Sequence, residues 1–319
     1  MALATVGIVA ALALGLGGCA AMDKDRRGLG ATDRPQVEVI AHRGASAYAP
    51  ENTLAAFELA VAQNADWYEL DCYISKDDVV VVLHDTTVDR TTNGTGPVAE
   101  FALEELKLLD AGSWRGEAFA LEPIPTLYES LAMAKDRIGV YVEIKSMASD
   151  SELVAMLLEM AEETPHMTPE QAEAFMAAIE ASGTRNLALT RESIADIRSL
   201  NMEDQALIQS FSAIVCFIAR HEAPEIVVEY LGGDDPDNPQ QWINYTRLGE
   251  FLQVDGMNPS HGSITPERLA AFQEAGMRVN VYTVNNPEDM ARLARMGVDG
   301  IITDYPDVCL DLLEELGLR

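Results

Sequence analysis

The chain has 319 residues, 48% hydrophobic and 23% charged, with 22 Lys and Arg against 52 Asp and Glu for a formal charge of -30. That length fits one large α/β barrel or two ordinary domains, and the acid excess argues against nucleic acid, whose affinity is dominated by cationic contacts to phosphate. It argues equally against electrostatic docking on anionic lipid; solubility or a salty habitat accounts for the excess, which identifies no cation by itself.

Residues 1–18, MALATVGIVAALALGLGG, carry no charged side chain. The run is short for a membrane span, which needs about 20 apolar residues, and it suits the apolar region of an export signal peptide, although no Lys or Arg precedes it. Leu16-Gly17-Gly18-Cys19 resembles the lipobox of bacterial lipoproteins. The resemblance implies lipidation of Cys19 after removal of residues 1–18; cleavage beyond Ala21 or a retained anchor are the alternatives. Ala20 after the cysteine implies sorting to the outer membrane, so the expected place is the periplasmic side of the bacterial cell envelope. Residues 19–36 are polar and Gly-containing and read as a tether.

From residue 37 to the end, short β-rich runs alternate with helical ones, the pattern of a parallel sheet. The strand Val37–Ala41 precedes a helix over Thr53–Gln63 with Asn52 as its start signal. Two strands follow closely, Trp67–Ile74 and Val79–Leu83, joined by a link too short for a parallel crossover. They look like a hairpin, and either could fill a barrel position. Residues 86–125 are a Gly/Thr-rich insertion with one helical run, Leu103–Leu109. Next come helix Leu127–Lys135, strand Val140–Ile144, and helices Ser151–Glu163, Pro169–Ala181 and Glu192–Ser199. Strands Ala206–Phe211 and Ile226–Leu231 lead into an exposed loop at Leu231–Gln241. Strands Val254–Met257, Val279–Val284 and Gly300–Thr303 then alternate with helices Pro266–Ala275, Pro287–Met296 and Val308–Leu316. The expectation is a TIM (β/α)8 barrel over residues 37–319, with the insertion placed after His84-Asp85.

Unusual polar residues stand at the strand ends. Val39-Ile40-Ala41 runs into His42-Arg43-Gly44, and C-terminal strand ends are where a parallel barrel binds its ligands. Side chains alternate along a strand, so Glu69 and Asp71 share one face while Leu70 and Cys72 share the other. Val79–Leu83 ends in His84-Asp85, and Glu143 and Lys145 share a face of a later strand. Each group alone reads as a satisfied polar network. Together they are inward charges on several strands, which are costly unless a metal or partner compensates them.

Here the sequence resembles the glycerophosphodiester phosphodiesterase family, over about residues 37 to 306. The likeness rests on HRGASAYAPENTLAAFELA (His42–Ala60), ELDCYISKDDVVVVLHD (Glu69–Asp85), PTLYESL (Pro125–Leu131), VEIK (Val142–Lys145), QSF (Gln209–Phe211), YTVN (Tyr282–Asn285) and GIITDYP (Gly300–Pro306), in the family's order. Asp78 stands where that family usually has Gly, and Tyr282 where it often has Trp.

The resemblance implies hydrolysis of a small-molecule glycerophosphodiester to sn-glycerol 3-phosphate and an alcohol. It implies one divalent cation held by Glu69, Asp71 and Glu143, His42 as base and His84 as acid, and Arg43 and Lys145 on the substrate phosphate. The residue types agree with this: carboxylates without Cys or imidazole ligands suit a hard ion, Ca2+ or Mg2+, rather than Zn2+. Such an ion with Arg43 and Lys145 leaves the three carboxylates one positive charge in excess, matching a phosphodiester monoanion. The nucleophile could be water or the glycerol 2-hydroxyl. Two alternatives are phospholipase D-type action on lysophospholipid, for which the insertion supplies no apolar lip, and a non-catalytic lipoprotein, for which intact machinery is unneeded.

Of the other candidates, His166 and His221 read as solvated, His261 as a loop residue near the mouth, and Trp114 as part of the cleft or of loop packing. Cys72, Cys216 and Cys309 each sit in an apolar run and read as buried free thiols. No feature of the sequence sets an oligomeric state.

Overall fold

The computed structural model describes residues 36–319. The expected signal peptide, Cys19 and the tether up to residue 35 lie outside the described residues. Among the described residues no helix is long and apolar enough to cross a membrane.

Among the described residues nine strands form one sheet: β1 (Glu38–Ala41), β2 (Trp67–Ile74), β3 (Val80–Val82), β4 (Gly139–Ile144), β5 (Ala206–Ser210), β6 (Val228–Gly232), β7 (Gly256–Pro259), β8 (Arg278–Val281) and β9 (Gly300–Thr303). Eight run parallel and close into a ring, because β1 pairs with both β2 and β9. This is the expected TIM barrel. The ninth, β3, folds back antiparallel on the end of β2, with Cys72 opposite Val82, and stays out of the ring. Asp78 takes the hairpin's left-handed position at φ 61°, which explains why glycine is at home there.

Around the ring lie α1 (Leu54–Ala62), α2 (Leu103–Leu106), α3 (Leu127–Ala134), α4 (Ser151–Glu163), α5 (Pro169–Ser182), α6 (Arg185–Ser199), α7 (Ala213–Glu222), α8 (Pro239–Leu252), α9 (Pro266–Glu274), α10 (Pro287–Met296) and α11 (Pro306–Glu315). Two of these, α7 and α8, have no counterpart among the expected helices. Every residue of α7 from Ala213 to Ala219 is buried, so it has no polar stripe to give a helical period. In α8 the first turns are polar, and the buried Tyr245, Leu248, Phe251 and Leu252 come late. The exposed loop after β6 is correspondingly shorter than expected.

The start of α1 also differs. Thr53, not Asn52, caps it by accepting a hydrogen bond from Ala56 N–H. That frees Asn52, at φ 59°, for another task. The insertion packs Val88, Val98, Leu106, Ala111 and Ile124 against Tyr73, Val81 and Leu83, a small core of its own on the outer side of the β2–β3 hairpin.

Candidate active site

β1 ends at Ala41, and the chain turns sharply through Arg43 (φ 55°) and Gly44 (φ 79°). A Cβ on Gly44 would lie 2.6 Å from the Ala56 carbonyl carbon, so the turn requires glycine. The turn directs the Arg43 backbone N–H to Glu69 Oε2 at 2.9 Å. It also brings His42 to a small cavity lined by Glu69, Glu143, Gln209, Phe211 and Tyr282. His42 Nδ1 lies 2.6 Å from Asp304 Oδ1, which leaves Nε2 as the working nitrogen. Asp304 is itself fixed by Asn285 Nδ2 at 2.6 Å and Ser46 Oγ at 3.1 Å.

Alternation along β2 turns Glu69 and Asp71 inward, and parallel register sets Asp71 beside Glu143 of β4. The three carboxylates offer oxygens that all lie within 4.8 Å of one another, and all three residues are buried. Asp71 accepts from Asn52 Nδ2 at 2.8 Å and lies 3.2 Å from both Lys145 Nζ and Arg43 Nε. Burial works against its charge, but Lys145, Arg43, His84 and Asn52 prevail and hold it well below the usual carboxylate range. Glu143 goes the other way, pushed up to about 7 by burial and then by Asp71. Burial, followed by the charges of Asp71 and Glu143, likewise drives Glu69 well above the usual carboxylate range.

Crowding of this kind is unfavourable for the protein alone and favourable around a cation. Glu69 Oε1 makes the same point: it is buried and has no hydrogen-bond partner. An orphan carboxylate oxygen facing two further carboxylates fits a hard divalent ion.

Two cations face this cluster. Lys145 Nζ lies 2.6 Å from Glu143 Oε1. Arg43 Nη1 donates to Glu51 Oε1 at 2.8 Å. The second histidine arrives by way of the hairpin: Leu83 N–H donates to Asp71 O at 3.0 Å, so the next residue emerges beside the carboxylates. His84 Nδ1 then pairs with Asp85 Oδ1 at 2.7 Å. Burial lowers the His84 pKa, Asp71 opposes the fall, and Lys145 and Arg43 add to it.

The seven residues expected to form the catalytic, phosphate and metal site therefore gather at one end of the barrel, while Cys19 lies outside the described residues. Five neighbours are not assigned to the site by the sequence: Asn52, Glu51, Asp85, Arg90 and Asp304. Asp85 and Asp304 were visible inside motifs, but only the fold pairs each with a histidine. His261 does not line the cavity that holds His42. His166 is exposed, His221 stacks on Phe217 at 5.5 Å, and Trp114 donates to Ala111 O at 2.9 Å. The three cysteines among the described residues are buried and free, as expected.

A closed parallel barrel carrying histidines, cationic side chains and clustered carboxylates at one mouth has the layout of a TIM-barrel enzyme. The particular family follows from comparison with known proteins. The pattern of the Glycerophosphoryl diester phosphodiesterase family matches residues 42–308. A glycerophosphodiester phosphodiesterase of Caldanaerobacter subterraneus is 36% identical over 280 residues, 88% of this chain and 98% of that protein. One from Bacillus subtilis is 31% identical, over 86% of this chain and 85% of the relative. Among solved structures, an Oleispira antarctica phosphodiesterase in complex with the product sn-glycerol-3-phosphate is similar, with a TM-score of 0.69, 27% identity, and coverage of 88% of this chain and 97% of that one. The chain belongs to the glycerophosphoryl diester phosphodiesterase family and is an enzyme that hydrolyses glycerophosphodiesters.

Proposed function

We propose that the enzyme releases sn-glycerol 3-phosphate and an alcohol, aided by one divalent cation, Ca2+ or Mg2+, held by Glu69, Asp71 and Glu143. The observation that carries this is the convergence of those carboxylates, with an unpartnered Glu69 oxygen, beside His42. A hard ion held there would supply Lewis acidity toward the phosphoryl oxygens and would balance the crowded carboxylates.

Arg43 and Lys145 take the remaining phosphate charge. Lys145 has three donors and spends two on Glu143 and Asp71, keeping one for substrate. His42, braced by Asp304, accepts the nucleophile's proton through Nε2, whether that nucleophile is water or the glycerol 2-hydroxyl. His84, braced by Asp85, gives a proton to the departing alkoxide. An imidazole ring can accept a proton at one nitrogen and, once protonated, donate one, which suits the side chain to either role. The sn-glycerol-3-phosphate bound to the Oleispira antarctica relative supports this choice of product.

Glycerophosphocholine offered to the soluble form, residues 20–319, tests the reading. Choline and glycerol 3-phosphate in equal amounts are expected; phosphocholine and glycerol would overturn it. One observation favours a second substrate, lysophospholipid: a groove of about 390 Å³ shares Phe211 and Leu231 with the site cavity and is floored by Val154, Leu158 and Leu248. Choline release from lysophosphatidylcholine in the same assay decides it.

We also propose that Cys19 is lipidated and anchors the enzyme at the periplasmic side of the bacterial outer membrane. The lipobox-like residues Leu16–Cys19 and the polar stretch after them support this. Radiolabelled palmitate is expected on the wild type and not on Cys19→Ser; label on both rejects Cys19 as the attachment point.

A further inference from the structure

The insertion reaches the site through Arg90. Its Nε donates to Asp85 Oδ2 at 2.6 Å and its Nη2 to Asp85 Oδ1 at 3.1 Å. On its other side Nη1 donates to Glu51 Oε2 and Nη2 to Glu51 Oε1, both at 2.8 Å. One guanidinium thus closes a fork on each of two carboxylates. Beyond them, Asp85 holds His84 Nδ1 at 2.7 Å and Glu51 holds Arg43 Nη1 at 2.8 Å. His84 and Arg43 come from different elements, the segment leaving β3 and the turn after β1, and Arg90 joins the two.

The insertion is fastened to the same β1–α1 segment at two more places. Glu122 Oε1 accepts from Ala55 N–H at 3.2 Å, and Arg115 donates to the Ala47 carbonyl.

We propose that Arg90 is a positioning residue for the phosphodiesterase reaction, coupling the orientation of His84 to that of Arg43, and that the insertion is the brace carrying it. The proposal rests on the acid and phosphate-binding roles given above to His84 and Arg43. An exposed ion pair alone does little. Here both contacts are bidentate, so the planar guanidinium fixes the planes of two carboxylates as well as their charge. Without it Asp85 keeps His84 as a partner but loses what sets its own direction. Glu51 loses its hold in the same way and can carry Arg43 aside. A lysine at position 90 is a point charge and cannot restore both planes.

Steady-state kinetics on the full chain with glycerophosphocholine and saturating Ca2+ test this. Arg90→Ala is expected to lower kcat by about 10- to 100-fold, the usual effect of losing an outer partner of a site. Millimolar guanidinium should recover much of the loss, and Arg90→Lys little of it. Glu51→Gln and Asp85→Asn should be non-additive in the wild-type background and additive in Arg90→Ala. If Arg90→Ala fails to fold, Arg90→Gln takes its place. A folded variant with kcat within about twofold of wild type, full recovery by Lys, or additivity in both backgrounds overturns the proposal. Lack of turnover in the wild type instead overturns the catalytic reading beneath it.

Discussion

Asp71 and Glu143 stand directly beside one another in the parallel register of β2 and β4, one pair before the pairing ends, with Glu69 two residues back on the same face of β2. The barrel thereby concentrates like charge at a place that excludes water, and it does so with backbone pairing, the least adjustable part of the fold. Lys145 answers two of these carboxylates. Glu69 Oε1 is left without a partner.

Glu69→Gln therefore has opposite expected effects with and without metal. In metal-free protein it relieves repulsion, and Tm rises by about 2–4 °C for each 1 kcal/mol gained. With metal present, losing a ligand charge from a buried cluster weakens ion binding by about 100- to 1000-fold. Calorimetry on both forms reads this; a lower Tm in the metal-free variant would show that Glu69 is bound by something other than a cation.

His42→Ala is expected to lower kcat by about 10²–10⁴-fold, the ordinary weight of a general base, while leaving ion affinity unchanged. Asp304→Asn should retain the ring but loosen its tautomer and direction, costing about 10–100-fold. Paired kinetics and metal titrations separate the two roles. A loss of metal affinity in either variant would make His42 a ligand rather than a base.

Gly44→Ala tests the turn that aims Arg43 and His42. The added Cβ would meet the Ala56 backbone at 2.6 Å, and the residue would still have to adopt φ 79°. Strain of this kind costs about 1–3 kcal/mol before the clash is counted. Tm should fall by several degrees and kcat with it; wild-type Tm and kcat together would mean that the turn tolerates a side chain.

Acid should weaken the Arg90 network in a defined window. Arg90's hydrogen bond, against partial burial and with help from His84, holds the Asp85 pKa down to about 2. A depressed carboxylate stabilises the fold above its unfolded value near 4 and loses that contribution as pH falls toward the folded value. The Tm advantage of wild type over Asp85→Asn should therefore shrink between about pH 4 and about pH 2. An advantage that stays constant through that range would deny the pairing.

The parts of this site that could be read from the sequence are those that depend on strand alternation. Period two puts Glu69 with Asp71, and the end of a parallel strand puts His42 at the barrel mouth, whereas His84 reaches it because antiparallel β3 folds back on the end of β2. Asn52 was misread because its local context is that of a cap, while its side chain is taken by Asp71 from a distant strand. Glu51, Arg90 and Asp304 were missed for a related reason. Their partners lie 39 residues away for Arg90 and Glu51, and 262 away for His42 and Asp304, and no local pattern encodes such pairings. α7 defeats periodicity from the other side, since its run Ala213–Ala219 is buried all round and shows no polar stripe.

The most direct test of the whole account is turnover of glycerophosphocholine by protein stripped with EDTA and then given back Ca2+ or Mg2+. No choline release in EDTA, and recovery on adding one of these ions in about equimolar excess over chelator, is the predicted result. Undiminished hydrolysis in excess EDTA would mean that Glu69, Asp71 and Glu143 crowd together for some purpose other than holding a metal.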